Sequence, residues 1–473
     1  MQRKNRDTLL AAMPPPWTGD ALGHVQEMVQ ALDRTIVVID DDPTGTQTVA
    51  NIPVLTEWSE QSIAQEFRNK TPLFFILTNA RSVSGDRAKT IAREVGESLL
   101  SAAISTNRRF NVVSRSDSTL RGHYPAEVDA LTDVLGVDDA VRVVIPFFEE
   151  GGRLTIQDVH WVDEEGVLVP VGETPFAQDA SFGFSSSNLR NWVEEKTAGE
   201  VPADTVASLS IEDIRTGGPE VVRDILLALP KGSVCIANAI NMTDLEVVTL
   251  GCLMAEKEGQ QLLYRTAASF VRTYAGQNLH PLLIAEDLNL PDEGAGLIVV
   301  GSHVPMSTHQ LNHILQNADV TARVNAVELN VSALLNADTR AGEIVEATFN
   351  VQESLRKGID TVLYTSRKLA TGTSATHSLE IAGIVSRSLV AVVANLEVRP
   401  RYIVAKGGIT SSDVATRSLG VKRAMVLGQI IPGVPVNRLG DESRFPGLVY
   451  VVFPGNVGRS DALTNVVRSL SRK

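Results

Sequence analysis

Seven short polar runs in this chain carry residue types that could do chemistry, four in the N-terminal half and three in the C-terminal half. The first group is Asp40-Asp41-Asp42-Pro43-Thr44-Gly45, Asn79-Ala80-Arg81-Ser82, Arg115-Ser116-Asp117-Ser118-Thr119-Leu120-Arg121-Gly122-His123, and Pro146-Phe147-Phe148-Glu149-Glu150 followed by two glycines and Arg153. Arg81, Arg115 and Arg121 are of the type that grips a carboxylate or phosphate through two parallel hydrogen bonds. Asp42 and Asp117 could orient or deprotonate a hydroxyl or hold a metal, with Asp41, Ser116 and Ser118 as further polar contacts. A single acidic run before a Pro and Gly turn is as readily a helix cap. Four such runs together point to one crevice that binds a small polar acid.

The second group reads differently. Gly301-Ser302-His303, Lys406-Gly407-Gly408-Ile409-Thr410 and Pro454-Gly455-Asn456-Val457-Gly458 place small residues where backbone N–H groups can approach an anion closely, as a nucleotide phosphate requires. Lys406 could add charge to a phosphate or be a solvated surface lysine. Ser307 with Gln310 fits a capping box opening a helix. The standard nucleotide fingerprints, Gly-x-x-x-x-Gly-Lys-Ser/Thr, Gly-x-Gly-x-x-Gly and the kinase catalytic loop, are missing.

Each run sits behind a short β-branched segment. Segments 35–39, 73–78, 111–114, 141–145 and 233–237 are four to six residues long and rich in Val, Ile or Phe, which predicts strands buried on both faces. Helical periods over 61–69, 86–105 and 126–135 lie between them, and crossovers of that length make the strands parallel. In such sheets ligands bind beyond the carboxyl ends of the strands, where these runs lie. Residues 1–33 read as a Pro-punctuated leader and 151–187 as an irregular insertion that could serve as a flap. A second alternation, with strands expected at 297–300, 361–365, 402–405, 424–427 and 448–453 and a helix over 378–395, follows a turn-rich linker at about 290. The expected architecture is therefore α/β: an acid-binding domain over 34–290 and a nucleotide-binding domain over 291–473, with mainly parallel sheets and ligands in the interdomain cleft.

Composition narrows the function. At 473 residues the chain exceeds the roughly 250 to 300 residues at which single cores stop growing. A formal net charge of −13 works against a sequence-independent grip on nucleic acid. Cys235 and Cys252, the two cysteines, lack metal-ligand spacing and suit buried apolar positions in a reducing compartment. No apolar run approaches the ~18 residues that span a bilayer, and the apolar stretch behind Arg3, Lys4 and Arg6 is short for a signal peptide, so a cytoplasmic protein is expected.

Asp41-Asp42-Pro43-Thr44-Gly45, Ser116-Asp117-Ser118-Thr119-Leu120-Arg121-Gly122, Gly407-Gly408-Ile409-Thr410-Ser411 and Pro454-Gly455-Asn456, in this order across nearly the whole chain, resemble the four-carbon acid sugar kinase family. Pro43 and Arg115 stand where many members have Leu and Lys. The resemblance implies an N-terminal acid-sugar domain, a C-terminal ATP domain, a requirement for Mg2+, and transfer of the γ-phosphoryl group to a hydroxyl of a tetronate or 3-oxo-tetronate. It implies acid contacts from Asp42, Arg81 and 115–118, and ATP contacts from Ser302, 407–410 and Gly455. Asp117 is the expected base, with Asp42 orienting the substrate or meeting magnesium through water. The partners expected are the acid sugar and ATP, with no nucleic acid and no membrane, and a homo-oligomer stays open. Two other readings compete: a non-catalytic sensor of an acid sugar and a nucleotide, against which the lack of an appended output module counts, and a hydroxy-acid dehydrogenase, against which the missing dinucleotide fingerprint counts.

Overall fold

The computed structural model describes residues 2–31, 33–316, 324–367 and 375–471. The chain divides into two compact units, Met1–Val49 with Glu57–Leu279, and Ala50–Thr56 with His280–Lys473.

In the first unit the β-branched segments fold as expected: β2 (Thr35–Asp40), β4 (Leu73–Leu77), β5 (Phe110–Arg115), β6 (Val141–Ile145) and β11 (Val234–Ala237) are strands of a parallel sheet. Two further strands join it, β10 (Ala207–Leu209) at one edge and β12 (Leu262–Thr266) between β5 and β6. All six residues of β2 are buried, as a strand covered on both faces requires. Helices Gly85–Thr106 and Ala126–Leu135 supply crossovers. The first begins where the Ser84 hydroxyl accepts the Arg87 N–H at 3.4 Å and ends at Asn107, which takes the left-handed conformation at φ 51°.

Two expectations for this unit are corrected. The 1–33 leader is part of the unit: β1 (Lys4–Asn5) pairs antiparallel with β9 (Val167–Pro170), helix Ala21–Ala31 buries Ala21 and Val25, and the Pro14 carbonyl accepts Arg215 Nη1 at 2.7 Å. The 151–187 segment is largely regular, since β7 (Arg153–Ile156), β8 (Val159–Glu164) and β9 form an antiparallel meander. Its strands are short, and of its two hairpin turns Gln157-Asp158 has no glycine while Glu165-Gly166 has one, all four residues at positive φ, so no long period and only one Gly-based turn marks it.

The second unit holds a mixed sheet. β13 (Leu297–Val300), β14 (Val324–Leu329), β15 (Asp360–Thr365), β16 (Tyr402–Lys406) and β19 (Val449–Phe453) are parallel, in the order β19, β16, β13, β15, β14. β3 (Ile52–Leu55), β17 (Arg423–Ile431) and β18 (Val434–Leu439) extend it antiparallel. Leu297 and Val299 pack into one core and Ile298 and Val300 into another, so β13 is buried on both faces. The boundary expected near 290 falls at 279/280, because the 280–292 stretch docks on this unit: Leu283 N bonds Gln429 O at 2.7 Å and Leu288 is fully buried. The helix expected over 378–395 runs Ala375–Ala394.

Candidate active site

Register brings the first three polar runs together. Asp40 pairs with Leu77 on one side and Arg115 on the other, and Arg115 pairs with Thr266, so β2, β4, β5 and β12 end in one row. The side chains beyond that row are linked by charge. Arg81 Nε lies 3.1 Å from Asp41 Oδ1, Nη2 lies 2.5 Å from Asp42 Oδ2, and Nη1 lies 3.7 Å from Asp117 Oδ1. Arg121 Nε donates to Asp117 Oδ2 at 2.6 Å, and the Thr119 hydroxyl donates to the same oxygen. The Ser116 hydroxyl donates to Asp41 Oδ2. Of the expected acid contacts, Asp41, Asp42, Arg81, Ser116, Asp117 and Arg121 thus form one cluster. Ser118 enters through its backbone, its carbonyl accepting His160 Nε2 at 2.8 Å. The fourth run divides: Glu150 goes elsewhere, accepting Arg272 Nη1 at 2.9 Å and the Ser269 hydroxyl at 3.2 Å, while the Arg153 guanidinium stays beside the cluster, 5.7 Å from the Phe176 ring centre that Arg121 also faces.

Arg115 turns inward. It is 5 % exposed and donates from Nη1 to Asp40 Oδ1 at 3.1 Å, while its Nε and Asp40 Oδ2 are buried with no hydrogen-bond partner among the described residues. Gly45 makes room for Asp40, since a Cβ there would stand 1.7 Å from Asp40 Oδ2. Burial, with Asp41 and Asp42 adding like charge against the pull of Arg115, pushes the Asp40 carboxyl up to about 7. Asp117 and Asp42 behave oppositely. Burial raises both, but Arg81 with Arg121 at Asp117, and Arg81 with Arg115 at Asp42, outweigh it and hold each carboxyl below the usual range. Both therefore stand as ion-paired carboxylates.

Arg265 and Glu127 also belong to this neighbourhood. Arg265, on β12, is buried and donates from Nη2 to the Arg121 carbonyl at 3.4 Å, and a Cβ on Gly122 would come within 3.0 Å of the same nitrogen. Burial, with the Asp41 charge beside it, pushes Glu127 up to about 7. The run Leu262-Leu263-Tyr264 before Arg265 and Thr266 is too short an apolar stretch to separate a strand from the end of a helix, so no local signal marks β12 or Arg265.

In the second unit, Ser302, Gly407 and Gly455 converge. A Cβ on Gly407, which has φ 112°, would lie 2.8 Å from Ser302 Cβ, and one on Gly455 would lie 3.1 Å from Ser302 Oγ. Gly408 opens the helical turn Gly408–Asp413, Thr410 Oγ1 packs against Gly301, and Ile409 is 62 % exposed. Lys406 is not a surface residue: it is fully buried, donates from Nζ to the carbonyls of Pro454 at 2.6 Å and Gly455 at 3.1 Å, and lies 4.0 Å from the Phe453 ring centre. Burial alone pushes its ammonium down to about 7. The capping box expected of Ser307 and Gln310 does not form. Both side chains are buried and hold the neighbouring loop instead, Ser307 Oγ donating to the Gly455 carbonyl at 3.0 Å and Gln310 Nε2 to those of Val457 and Arg459 at 2.9 and 2.8 Å. His303 meets Thr365 Oγ1 at 3.3 Å.

Among the described residues no group of three or more His, Cys, Asp or Glu side chains could hold a metal by itself, and no helix is long and apolar enough to cross a membrane. Cys235 and Cys252 are free and buried.

Two α/β units, one with a charged cluster at its strand ends and the other with converging glycine-bearing loops around a buried lysine, define a two-unit α/β protein with a candidate small-molecule site in each unit. The chain belongs to the family described by a sugar-binding N-terminal domain, matched over residues 36–274, and a nucleotide-binding C-terminal domain, matched over 297–463, which is the family of the four-carbon acid sugar kinases. It is 25 % identical over 466 residues to a D-erythronate kinase of Heliobacterium modesticaldum, covering 93 % of this chain and 97 % of that one. It is 28 % identical over 203 residues to a D-threonate kinase of Bordetella bronchiseptica, covering 40 % and 46 % of the two chains. The crystal structure of Haemophilus influenzae protein HI1011 matches in fold with a TM-score of 0.62 at 18 % identity, covering 91 % of this chain and 99 % of that one.

Proposed function

We propose that this protein is an ATP-dependent kinase that phosphorylates a hydroxyl of a four-carbon acid sugar, a tetronate or 3-oxo-tetronate. Lys406 is the observation that carries the phosphate half of the reading. It is an ammonium 0 % exposed, bonded to two carbonyls and a ring face, with no carboxylate beside it among the described residues, within the part of the chain that matches a nucleotide-binding domain. A buried charge without a counter-ion is costly, and a phosphate oxygen is the partner that offsets that cost. Ser302, Gly407, Gly408, Ile409, Thr410 and Gly455 supply close backbone approach and one apolar contact.

The acid is held in this reading at the Arg81 cluster. A substrate carboxylate competes with Asp41, Asp42 and Asp117 for Arg81 and with Asp117 for Arg121, so acid binding loosens the ion pairs that keep Asp117 a weak base. Asp117 then receives the hydroxyl proton as the hydroxyl oxygen attacks the γ-phosphorus and ADP leaves. In a loose phosphoryl-transfer transition state this proton transfer is a modest part of catalysis and positioning the larger one. Arg115, paired inward with Asp40, supports the strand ends and adds positive field.

Magnesium usually takes one or two carboxylates together with phosphate oxygens and waters. Asp42 fits such a role, since its side chain is 26 % exposed against 4 % for Asp41. The ion, when bound, neutralises charge on the β- and γ-phosphates.

The test is to incubate the protein with ATP, magnesium and a panel of tetronates and 3-oxo-tetronates while following ADP release. Acid-dependent turnover supports the reading. ATP binding and acid binding without turnover across the panel would favour the sensor instead.

A further inference from the structure

We propose that the antiparallel meander β7–β9 is a positioning element of the acid site, acting through His160, which fixes the Ser118 carbonyl and with it the loop carrying Ser116, Asp117 and Arg121. This rests on the acid-binding reading above.

The argument starts from a ring with no freedom. His160 lies on β8 and is fully buried, as is Thr155 on β7. A carbonyl only accepts, so the nitrogen 2.8 Å from Ser118 O carries the hydrogen, and Nδ1 must accept from the Thr155 hydroxyl at 2.9 Å. Burial pushes the imidazole down to about 4, so this single neutral tautomer persists at neutral pH. The result is a directed chain from Thr155 through His160 to the middle of the acid loop.

That loop needs holding. Leu120, a buried branched residue, has φ 70°, and Gly122 has φ 131°, so two of its residues lie outside the regions that L side chains favour. Such backbone persists only where surrounding contacts determine it. On the sheet side those contacts include Ser116 N to Thr266 O at 2.8 Å, the Ser116 hydroxyl to Asp41, Arg265 Nη2 to the Arg121 carbonyl at 3.4 Å and Arg81 Nη1 to Asp117 at 3.7 Å. On the other side His160 contacts Ser118, and the segment after β9 sets the Arg121 side chain, whose guanidinium lies 5.1 Å from the Phe176 ring centre with Nη1 3.8 Å from Asp179. The meander thus reaches the one loop that presents both the proposed base and an acid-binding arginine.

The test compares His160→Phe, which keeps a ring and removes both hydrogen bonds, with His160→Gln, whose amide can still donate to Ser118 O. Acid KM should rise about ten-fold or more in the Phe variant, the scale of leaving a buried carbonyl unpaired, while ATP affinity stays at the wild-type value. The Gln variant should recover to within about three-fold of wild type. Independently, hydrogen exchange read without ligands should speed up across 116–122 in the Phe variant and stay unchanged in β2 and β5. Should His160→Phe not fold, the same exchange comparison runs on His160→Gln, expected near wild type, and Thr155→Val, expected faster. Unchanged exchange over 116–122 in Phe and Val variants, or equal losses of acid and ATP affinity, would overturn the proposal. Because exchange is read without substrate, a wild-type protein inactive on every acid counts against the proposed function alone.

Discussion

Arg81→Ala tests whether one guanidinium organises the acid site. Arg81 meets Asp41, Asp42 and Asp117 at 3.1, 2.5 and 3.7 Å while itself only 15 % exposed, so its removal leaves three carboxylates in a poorly solvated place without their shared cation. Breaking a buried pair by deleting one partner costs about 3 to 5 kcal/mol, and the lower end applies because Asp117 keeps Arg121 and Asp42 is partly exposed. For a domain of this size that corresponds to a fall in Tm of roughly 6 to 12 °C. The same substitution removes a charge-assisted contact to the substrate carboxylate, on the order of 1.5 to 3 kcal/mol, so acid KM should rise roughly ten- to hundred-fold. ATP affinity should not move, since its proposed contacts belong to the other unit. Arg81→Lys separates the two effects: it restores charge and most of the stability, but a point-like ammonium cannot copy a planar fork that meets three carboxylates, so KM should stay raised. The assays are thermal unfolding and steady-state kinetics with varied acid at saturating ATP and magnesium. An Arg81→Ala protein that unfolds at the wild-type temperature and keeps its acid KM within two-fold would refute the reasoning.

Asp117→Asn should lose roughly 10²-fold or more in turnover with both ligands saturating, as for removal of a general base; near-wild-type turnover beside an inactive Asp42→Asn would reverse the two roles. Lys406→Met keeps the apolar stem on Phe453 and removes the charge, so calorimetry should show ATP affinity weakened about ten-fold or more with the fold retained; an unchanged Kd would remove Lys406 from the phosphate site. Stability should carry a His160 signature. Its folded value of about 4 lies below the ordinary imidazole value of 6.5, so between these the unfolded chain binds the proton more readily. The contribution of neutral His160 is therefore complete above pH 6.5 and declines as pH falls towards 4, by about 3 kcal/mol at full extent. Denaturant unfolding of wild type and His160→Gln at pH 7.5 and 4.5 isolates it from Asp40 and Glu127, whose raised values act in the opposite direction; a stability difference between the two proteins independent of pH would contradict it.

The amino-acid sequence by itself determined the α/β alternation, most of the parallel strands of both units and the polar runs behind them. Continuous β-branched segments and longer helical periods are local signals, and a run such as Thr35–Asp40 has few other ways to bury every side chain. It did not reveal β12, because five residues behind a long helix and a Gly-Gln-Gln turn are ambiguous on their own, and with β12 it missed Arg265. Nor did it show the role of the first 31 residues or the meander, whose short strands gain their stability from partners far along the chain, Lys4 opposite Leu168 and Thr155 beside Ala239. Which arginine meets which aspartate was decided only by the tertiary structure. Arg81 and Arg115 each follow or end a strand and look alike in sequence, yet one faces three carboxylates beyond the sheet edge and the other is buried against Asp40. Lys406 makes the same point: a lysine before two glycines reads as loop surface, and only the packing of Phe453, Pro454 and Gly455 over it leaves a charge that two carbonyls solvate and that no carboxylate among the described residues balances.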